Sequence, residues 1–370
     1  MIYLDNAATT PILPEVRDCF LNNVDKFANP SSMHSFGFEC HQELEEKRSD
    51  IANLLNCNPN EIYFTSGGTE SNNVAILGSM SAMKSKGKII TSKAEHPSVL
   101  ETVKNSSIAY DFVNVLPNGS IDLNHLDSLL NNEISLVSLM HVNNETGAIN
   151  PINEIYNLVK SKSNALLHVD NVQGYGKLKN FTSDLISFCS HKIGGFKGIG
   201  GLYIKSDTKI KPTIYGGGQE KGLRSGTENL PLIAGFAKAS KLSFENMEYN
   251  ISKVIKLNSY LREELKNISN THFSSNLNSS PYILNVRFDS VMGETLLHSL
   301  EQHKIFISTG SACSSHNSKP SSALASMGLS NQQIKESIRI SFSPQNTLAE
   351  VQTASEIIKK EVSNPRGIKK

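Results

Sequence analysis

The stretch that decides the fold runs from residue 134 to residue 170. It reads ISLVSLMHV (134–142), then PINEIYNLVKSK (151–162), then ALLHVD (165–170). The first and third segments are apolar runs, which is typical of strands buried on both faces of a sheet. The middle segment is helical in pattern. A strand, a helix and a second strand in this order predict a βαβ unit with a parallel strand pair.

The same alternation extends to both sides of this unit. Further strands are predicted at EIYFTS (61–66), KIITS (88–92), DFVNVL (111–116), DLISFCS (184–190) and GIGGLYIK (198–205). Seven strands separated by helical segments predict an α/β fold. We expect a large domain with a mostly parallel seven-stranded sheet that helices flank on both faces.

The pattern changes after a long helical stretch that is predicted to run from residue 230 to residue 268. Three more strands follow, at PYILNVRF (281–288), IFIST (305–309) and SIRISF (337–342). We therefore expect three parts. They are an N-terminal segment (1–15) that packs near the small domain, a large domain (16–250) and a smaller α+β domain (251–370).

Composition excludes several classes of protein. The 370 residues carry 36 Lys and Arg against 35 Asp and Glu, so we expect no direct nucleic-acid or membrane partner. Five cysteines without a CxxC pair, and histidines without HExxH spacing, argue against a disulfide framework and against a metal site. No signal peptide or apolar run of about 20 residues is present, so a cytoplasmic location is expected.

Two motifs at predicted strand ends favour a ligand site. TSGGTESNN (65–73) joins a strand to a helix through two glycines, which suits a phosphate cradle or, equally, a plain helix cap. HVD (168–170) ends a buried strand in Asp170, and Gln173 follows near the same edge. Such an aspartate is either solvated or faces the crevice where ligands bind.

Two further segments carry nucleophiles. Lys192 follows a buried strand in CSHKIGGFKGIGG (189–201), and a desolvated lysine can form a Schiff base. Cys313 lies in STGSACSSHNSKPSS (308–322), a small polar segment that we expect to be mobile and to leave the sulfur accessible. Arg339, on a predicted buried strand, needs an anionic partner, either a structural carboxylate or that of a substrate.

A phosphate cradle, a crevice aspartate and a desolvated lysine, in this order, are what pyridoxal 5'-phosphate (PLP) requires. The lysine binds the cofactor covalently, the aspartate keeps the pyridine nitrogen protonated, and the cradle anchors the phosphate. The combination is far more specific than any one part.

With these residues in place, the chain resembles the cysteine desulfurases, which are class-V, fold-type-I PLP-dependent enzymes, and in particular their long cysteine-loop group. The resemblance covers nearly the whole chain. It is carried by YLDNAATTP, NPSSMHSFG, TSGGTESNN, AEHPSVLET, MHVNNETGAINPI, HVDNVQGYGK, SHKIGGFKGIGGLYI, GGGQEKGLRSGTEN, STGSACSS and ESIRISF.

The resemblance implies roles for the residues at these motifs. Lys192 would hold PLP and later move the Cα proton, and Asp170 would pair with the pyridinium nitrogen. Gln173 would bind the ring oxygen O3′. His96 would stack on the ring and handle the proton of the substrate thiol. Cys313 would attack the substrate sulfur and become a persulfide.

The remaining implied roles concern the phosphate and the substrate. Gly68, Thr69 and His191 would grip the phosphate, together with Thr227 of a neighbouring subunit, which implies a homodimer. Asn144 would lie at the cofactor and, with Arg339, bind the substrate carboxylate. One departure is Cys189, at a position where the family often has a phosphate-binding serine, because a thiol is a weaker donor.

The implied function is PLP-dependent removal of sulfur from L-cysteine, which gives L-alanine and a persulfide on Cys313. A sulfur-acceptor protein would receive the sulfur, for iron–sulfur assembly, tRNA or cofactor thiolation, or DNA phosphorothioation. Alternatives are another class-V enzyme, such as a selenocysteine lyase or an aminotransferase, and a non-catalytic relative. A short C-terminal tail, KKEVSNPRGIKK, weakens the iron–sulfur assignment.

Overall fold

A seven-stranded sheet forms the centre of the protein. The computed structural model describes residues 1–83, 87–309 and 320–363. The central strands are β2 (Ile62–Thr65), β3 (Lys88–Ser92), β4 (Tyr110–Val113), β5 (Ile134–Met140), β6 (Leu166–Asp170), β7 (Leu185–Cys189) and β8 (Gly200–Ile204). Their spatial order is β2-β8-β7-β6-β5-β3-β4. Strand β8 runs opposite to the other six strands, so the predicted, mostly parallel sheet is confirmed.

Helices cover both faces of this sheet. The helices before β8 are α1 (Pro14–Leu21), α2 (Ser35–Leu55), α3 (Gly68–Asn73), α4 (Ser79–Ala82), α5 (Pro97–Asn105), α6 (Leu123–Leu129) and α7 (Ile152–Lys162). Successive residues of β7 point to opposite faces. Phe188 packs in a core with residues of α1 and α2, whereas Leu185 packs against Val74 and Ala75, in the π-helical turn that joins α3 to α4.

The helix predicted from residue 230 to residue 268 is in fact two helices, so the prediction of one continuous helix is wrong. The helix α8 (Leu230–Glu245) ends at Asn246, and α9 (Met247–Lys266) begins directly after it. Asn246 donates its side-chain amide to the carbonyl of Leu242 at 2.8 Å. Asparagine competes in this way for backbone groups, which favours helix ends over helix interiors.

The C-terminal third contains a second sheet. Its antiparallel order is β12-β13-β10-β9. The remaining elements are β9 (Thr271–Phe273), β10 (Ile283–Phe288), α10 (Gly293–Gln302), β11 (Ile305–Phe306), β12 (Ser308–Thr309), α11 (Ser322–Ser326), α12 (Asn331–Lys335), β13 (Ser337–Ser341) and α13 (Leu348–Ser363). The division at residues 15 and 250 stays a prediction. In the described part of the chain, no helix has the length and apolar character needed to cross a membrane.

The first ten residues connect the two sheets. Strand β1 (Ile2–Tyr3) pairs with β11 in parallel, and Asp5 bridges to Ser341 of β13. Further along, the amide of Thr10 donates to the carbonyl of His191 at 2.9 Å. This segment therefore fixes the end of β13 against the turn that follows β7.

Candidate active site

A cavity of about 490 Å³ lies at the carboxyl ends of the central strands, where ligands bind in open α/β sheets. It brings together nine of the residues singled out from the sequence: Gly68, Thr69, His96, Asn144, Asp170, Gln173, His191, Lys192 and Arg339. Other residues complete the wall, namely Asp5, Ala7, Ala8, Asn72, Ser98, Met140, Val142, Val172, Cys189 and Ser308.

Lys192 projects from the turn after β7. Its Nζ donates to the carbonyl oxygens of Ala7 at 2.5 Å and of Ala8 at 2.7 Å. The N-terminal segment therefore holds the amine at the cavity wall. An amine fixed at this edge is placed to bind an aldehyde.

Asp170 is the last residue of β6 and is only 6% exposed. Its Oδ1 accepts the backbone N–H of Val172 at 3.0 Å, and its Oδ2 accepts Nδ2 of Asn72 at 2.8 Å. Both oxygens have a donor, so the carboxylate is held in one orientation. A fixed carboxylate of this kind is suited to pair with a protonated ring nitrogen.

His96 is the N-cap residue of α5, and its Nδ1 accepts the backbone N–H of Ser98 at 3.1 Å. Burial lowers the pKa of His96; the nearby Asp170 charge opposes this effect, and the Lys192 charge adds to it. Desolvation is the largest cause, so the imidazole is neutral at pH 7.

The start of α3 forms the proposed phosphate cradle. A Cβ on Gly68 would come within 2.6 Å of Cγ2 of Val172, so glycine alone lets the helix end approach this wall. Thr69 is exposed at the cavity, and His191 is half-buried beside it. Burial, and then repulsion by Lys192, lower the pKa of His191 to about 3, so its ring is uncharged.

Arg339 lies on β13 and is 3% exposed. Its Nη2 donates to Oδ1 of Asp5 at 2.7 Å, and its Nη1 donates to the carbonyl of Asn144 at 2.9 Å. Its Nε is buried and has no hydrogen-bond partner among the described residues. From the sequence, Arg339 could pair with a structural carboxylate or with the carboxylate of a substrate. The structure shows that Asp5 supplies a structural carboxylate.

The cavity fits PLP. Oε1 of Gln173 is buried without a hydrogen-bond partner in the described part of the chain, while Nε2 of the same amide donates to Ala7. An orphaned acceptor, a carboxylate, an amine and a glycine at a helix start are the groups that a phosphorylated pyridine aldehyde needs.

Two residues from the sequence stand apart from this cluster, and a third, Cys189, lies within it. Thr227 is exposed and does not line the cavity of its own chain. Cys313 lies outside the described residues. Cys189 lines the cavity, and burial raises the pKa of its thiol to about 11, so it offers only a weak, uncharged donor.

Sequence reasoning missed several polar groups of the site. Asn72 lies four residues after Gly68, which places both on one face of the helix, and Ser98 lies two residues after His96. These two spacings in the sequence could have identified Asn72 and Ser98 as candidate residues of the site. Asp5 gave no signal, because its partner Arg339 is 334 positions away.

Comparisons with known proteins identify the family of the chain. Residues 2–353 match the family model for aminotransferase class-V. The chain is 42% identical to a NifS/IcsS protein homolog of Lactobacillus delbrueckii subsp. bulgaricus, over 95% of this chain and 94% of that one. It is 37% identical to a cysteine desulfurase of Trichormus azollae, over 100% and 94%.

A solved structure has the same fold. That structure, of a NifS-like protein, superposes with a TM-score of 0.92 at 36% identity and covers 98% of this chain and 99% of its own. The family match and the full-length relatives lead to one conclusion: the chain belongs to the aminotransferase class-V family, among its cysteine desulfurases.

Proposed function

We propose that this chain is a PLP-dependent cysteine desulfurase, which takes sulfur from L-cysteine and leaves L-alanine. The observation that carries the proposal is the placement of Lys192, Asp170 and Arg339 around one cavity. An amine for the cofactor, a carboxylate for its ring and a guanidinium for an amino-acid carboxylate meet there. The cysteine desulfurase names of full-length relatives support this reading.

The cavity residues divide into groups that would hold the cofactor. Lys192 would bind its aldehyde, Asp170 its ring nitrogen and Gln173 its ring oxygen. The phosphate would lie against Gly68, Thr69 and His191, with Thr227 of a second copy, and Asn144 would lie beside the cofactor. When bound, PLP supplies an electron sink for the bonds at the substrate Cα.

The chain's own residues would then orient the substrate and move its protons. Arg339, with Asn144 beside it, binds the carboxylate of L-cysteine, which fixes the amino acid against the wall that carries Lys192. Lys192 would take the proton from Cα, because an amine at this wall can act as a general base. The neutral His96 faces the substrate sulfur.

Cys313 would receive the sulfur. Its thiolate attacks the sulfur of the substrate, an S–S bond forms, and the C–S bond breaks. The electron pair of the C–S bond stays with Cβ, which takes up a proton, and Lys192 returns to Cα the proton that it removed. The products are a persulfide on Cys313 and L-alanine, so the enzyme itself carries the sulfur to the acceptor.

A second copy of the chain would complete the site through Thr227. Large apolar side chains are exposed on and beside α1 and α2: Phe27 is 81% exposed, Met33 104% and Phe38 57%. Patches of this kind mark interaction surfaces, which supports a homodimer. Sedimentation should give a dimer, and a fully active monomer would contradict this part of the proposal.

The acceptor is proposed only as a class, a protein that takes a persulfide sulfur for iron–sulfur assembly, tRNA or cofactor thiolation, or DNA phosphorothioation. The described cysteines Cys19, Cys40, Cys57 and Cys189 are all free thiols, which supports a reducing, cytoplasmic location. Loading Cys313 with labelled sulfur in a lysate and identifying the labelled recipient would name the acceptor.

The decisive experiment concerns Lys192. Borohydride reduction of the native protein, followed by digestion, should place a pyridoxyl group on the peptide that contains Lys192. The buried Lys177 is the internal control, and its peptide should stay unmodified. An adduct on Lys177, or on no peptide, would overturn the proposal.

Cys313→Ser separates a desulfurase from an aminotransferase of the same family. A transaminase needs no thiol of its own, whereas the proposed sulfur transfer requires one. We expect the variant to retain PLP and to lose alanine formation from L-cysteine by at least about a hundredfold. Cys19→Ser, which changes a thiol outside the cavity, is the matched control.

A further inference from the structure

A continuous chain of hydrogen bonds links Asp170 to His96 through two side chains that have no assigned role. Oδ2 of Asp170 lies 2.8 Å from Nδ2 of Asn72. The same Nδ2 lies 2.9 Å from Oγ of Ser98, which lies 2.8 Å from Nδ1 of His96. All four residues line the cavity.

The direction of each bond follows from the chemistry of the groups. An ionised carboxylate only accepts, so the nitrogen of the Asn72 amide, and not its oxygen, must face Asp170. That nitrogen has two protons, and the second goes to Oγ of Ser98. The hydroxyl therefore accepts from Asn72 and gives its single proton to Nδ1 of His96.

A second donor reaches the same ring nitrogen. The backbone N–H of Ser98 points at Nδ1 of His96 at 3.1 Å, because His96 caps the N-terminus of α5. With two donors directed at it, Nδ1 carries no proton. A neutral imidazole has one N–H, which must then be on Nε2. Nε2 has no hydrogen-bond partner among the residues that the structure describes.

We propose that Ser98 and Asn72 are positioning residues that hold His96 in its Nε2–H tautomer, so that the ring offers the cavity a hydrogen-bond donor and not a base. Burial of the ring, which keeps it neutral, agrees with this. The consequence for L-cysteine rests on the proposed function. A substrate sulfur at Nε2 accepts a hydrogen bond from His96 and does not give its proton to that nitrogen.

The tautomer can be measured without any assay of activity. We would label the holoenzyme with ¹⁵N-histidine and record two-bond ¹H–¹⁵N correlations, with His96→Gln to assign the signal. His96 should show the pattern of a ring protonated at Nε2 alone. The pattern of a ring protonated at Nδ1 would overturn the proposal, even if the chain is a cysteine desulfurase.

Variants at Ser98 test the positioning role. Ser98→Ala removes the hydroxyl donor and leaves the backbone donor, so the ratio of the two tautomers should change about fivefold toward Nδ1–H, the effect of one hydrogen bond. Ser98→Thr keeps a hydroxyl and should restore the wild-type ratio. Thr102→Ala is the control, because the Thr102 hydroxyl donates to the backbone carbonyl of Ser98 and not to its side chain. An unchanged ratio in Ser98→Ala would refute the role of Ser98.

Discussion

The guanidinium of Arg339 and the carboxylate of Asp5 form an ion pair inside the cavity, 2.7 Å apart. Asp5 accepts a hydrogen bond from Nη2 and so neutralises part of the charge of the buried guanidinium. It leaves Nε of Arg339 without a partner in the described residues. The two bonds to Asp5 and Asn144 therefore fix the guanidinium in one orientation at the cavity wall, as the proposed binding of a substrate carboxylate requires.

Arg339→Lys should raise the KM for L-cysteine by at least about tenfold, because an ammonium cannot reproduce the planar fork of a guanidinium. The visible absorption of bound PLP should not change. Steady-state kinetics with L-cysteine measure the effect. Arg287→Lys, on the adjacent strand β10, is the control, and an equal rise in KM for both variants would contradict the assignment of Arg339.

Asp170→Asn should lower kcat by on the order of a hundredfold, because a neutral amide does not hold a ring nitrogen in its protonated form. The amide retains one oxygen that can accept from Val172, so the fold and the cofactor should be retained. Turnover of L-cysteine at saturation is the measurement. A kcat near that of the wild type would show that Asp170 does not act on the ring.

Lys177→Met should stabilise the protein near pH 7. Lys177 is 7% exposed, and burial, followed by repulsion from Lys192, lowers its pKa to about 7. As the pH falls from 10.5 toward 7, the unfolded chain binds a proton at this lysine that the folded chain does not, so the wild type loses stability.

A methionine at position 177 does not titrate, so the variant does not lose stability in this way as the pH falls. The Tm of Lys177→Met should therefore exceed that of the wild type by about 2–4 °C at pH 7, and the gap should shrink as the pH rises toward 10. Thermal unfolding at several pH values measures this. Lys179→Met, at an exposed position nearby, is the control, and a gap that widens with pH would contradict the prediction.

Arg48→Met should destabilise the fold by about 3–5 kcal/mol. Arg48 forms two bonds to the carboxylate of Glu220, at 2.7 and 2.9 Å, and both side chains are buried. Glu220 also accepts the backbone N–H of Phe64. The variant removes both bonds from Arg48 and leaves the buried carboxylate of Glu220 without a directly bonded cation among the described residues. Urea unfolding measures the loss.

Lys47→Met, one residue earlier on α2, is the comparison for Arg48→Met. Lys47 pairs with the partly buried Glu43 and with the exposed Glu46, and we expect pairs that water still reaches to contribute less, about 1 kcal/mol. If both variants lose the same free energy of unfolding, the buried Arg48–Glu220 pair does not stabilise the fold more than the pairs of Lys47 do.

Much of the site could be predicted because the chemistry lies at the ends of apolar strands. Lys192 follows β7 and Asp170 ends β6, so adjacent parallel strands bring them to one edge. The orientation of Asn72 and Ser98 needs the relative placement of α3 and α5, which a one-dimensional pattern does not contain. Asp5 and Arg339 meet only because the N-terminal segment lies against β13.

The segment of residues 2–10 has a consequence for how the enzyme is made. Its contacts reach Lys192 on one side and strand β13 on the other. Asp5 and Arg339 are 334 positions apart in the sequence, and contacts between such distant positions form slowly because a long loop must first be closed. A chain that has formed the central sheet but not these contacts lacks the Asp5–Arg339 pair, so this wall of the cavity is completed late in folding.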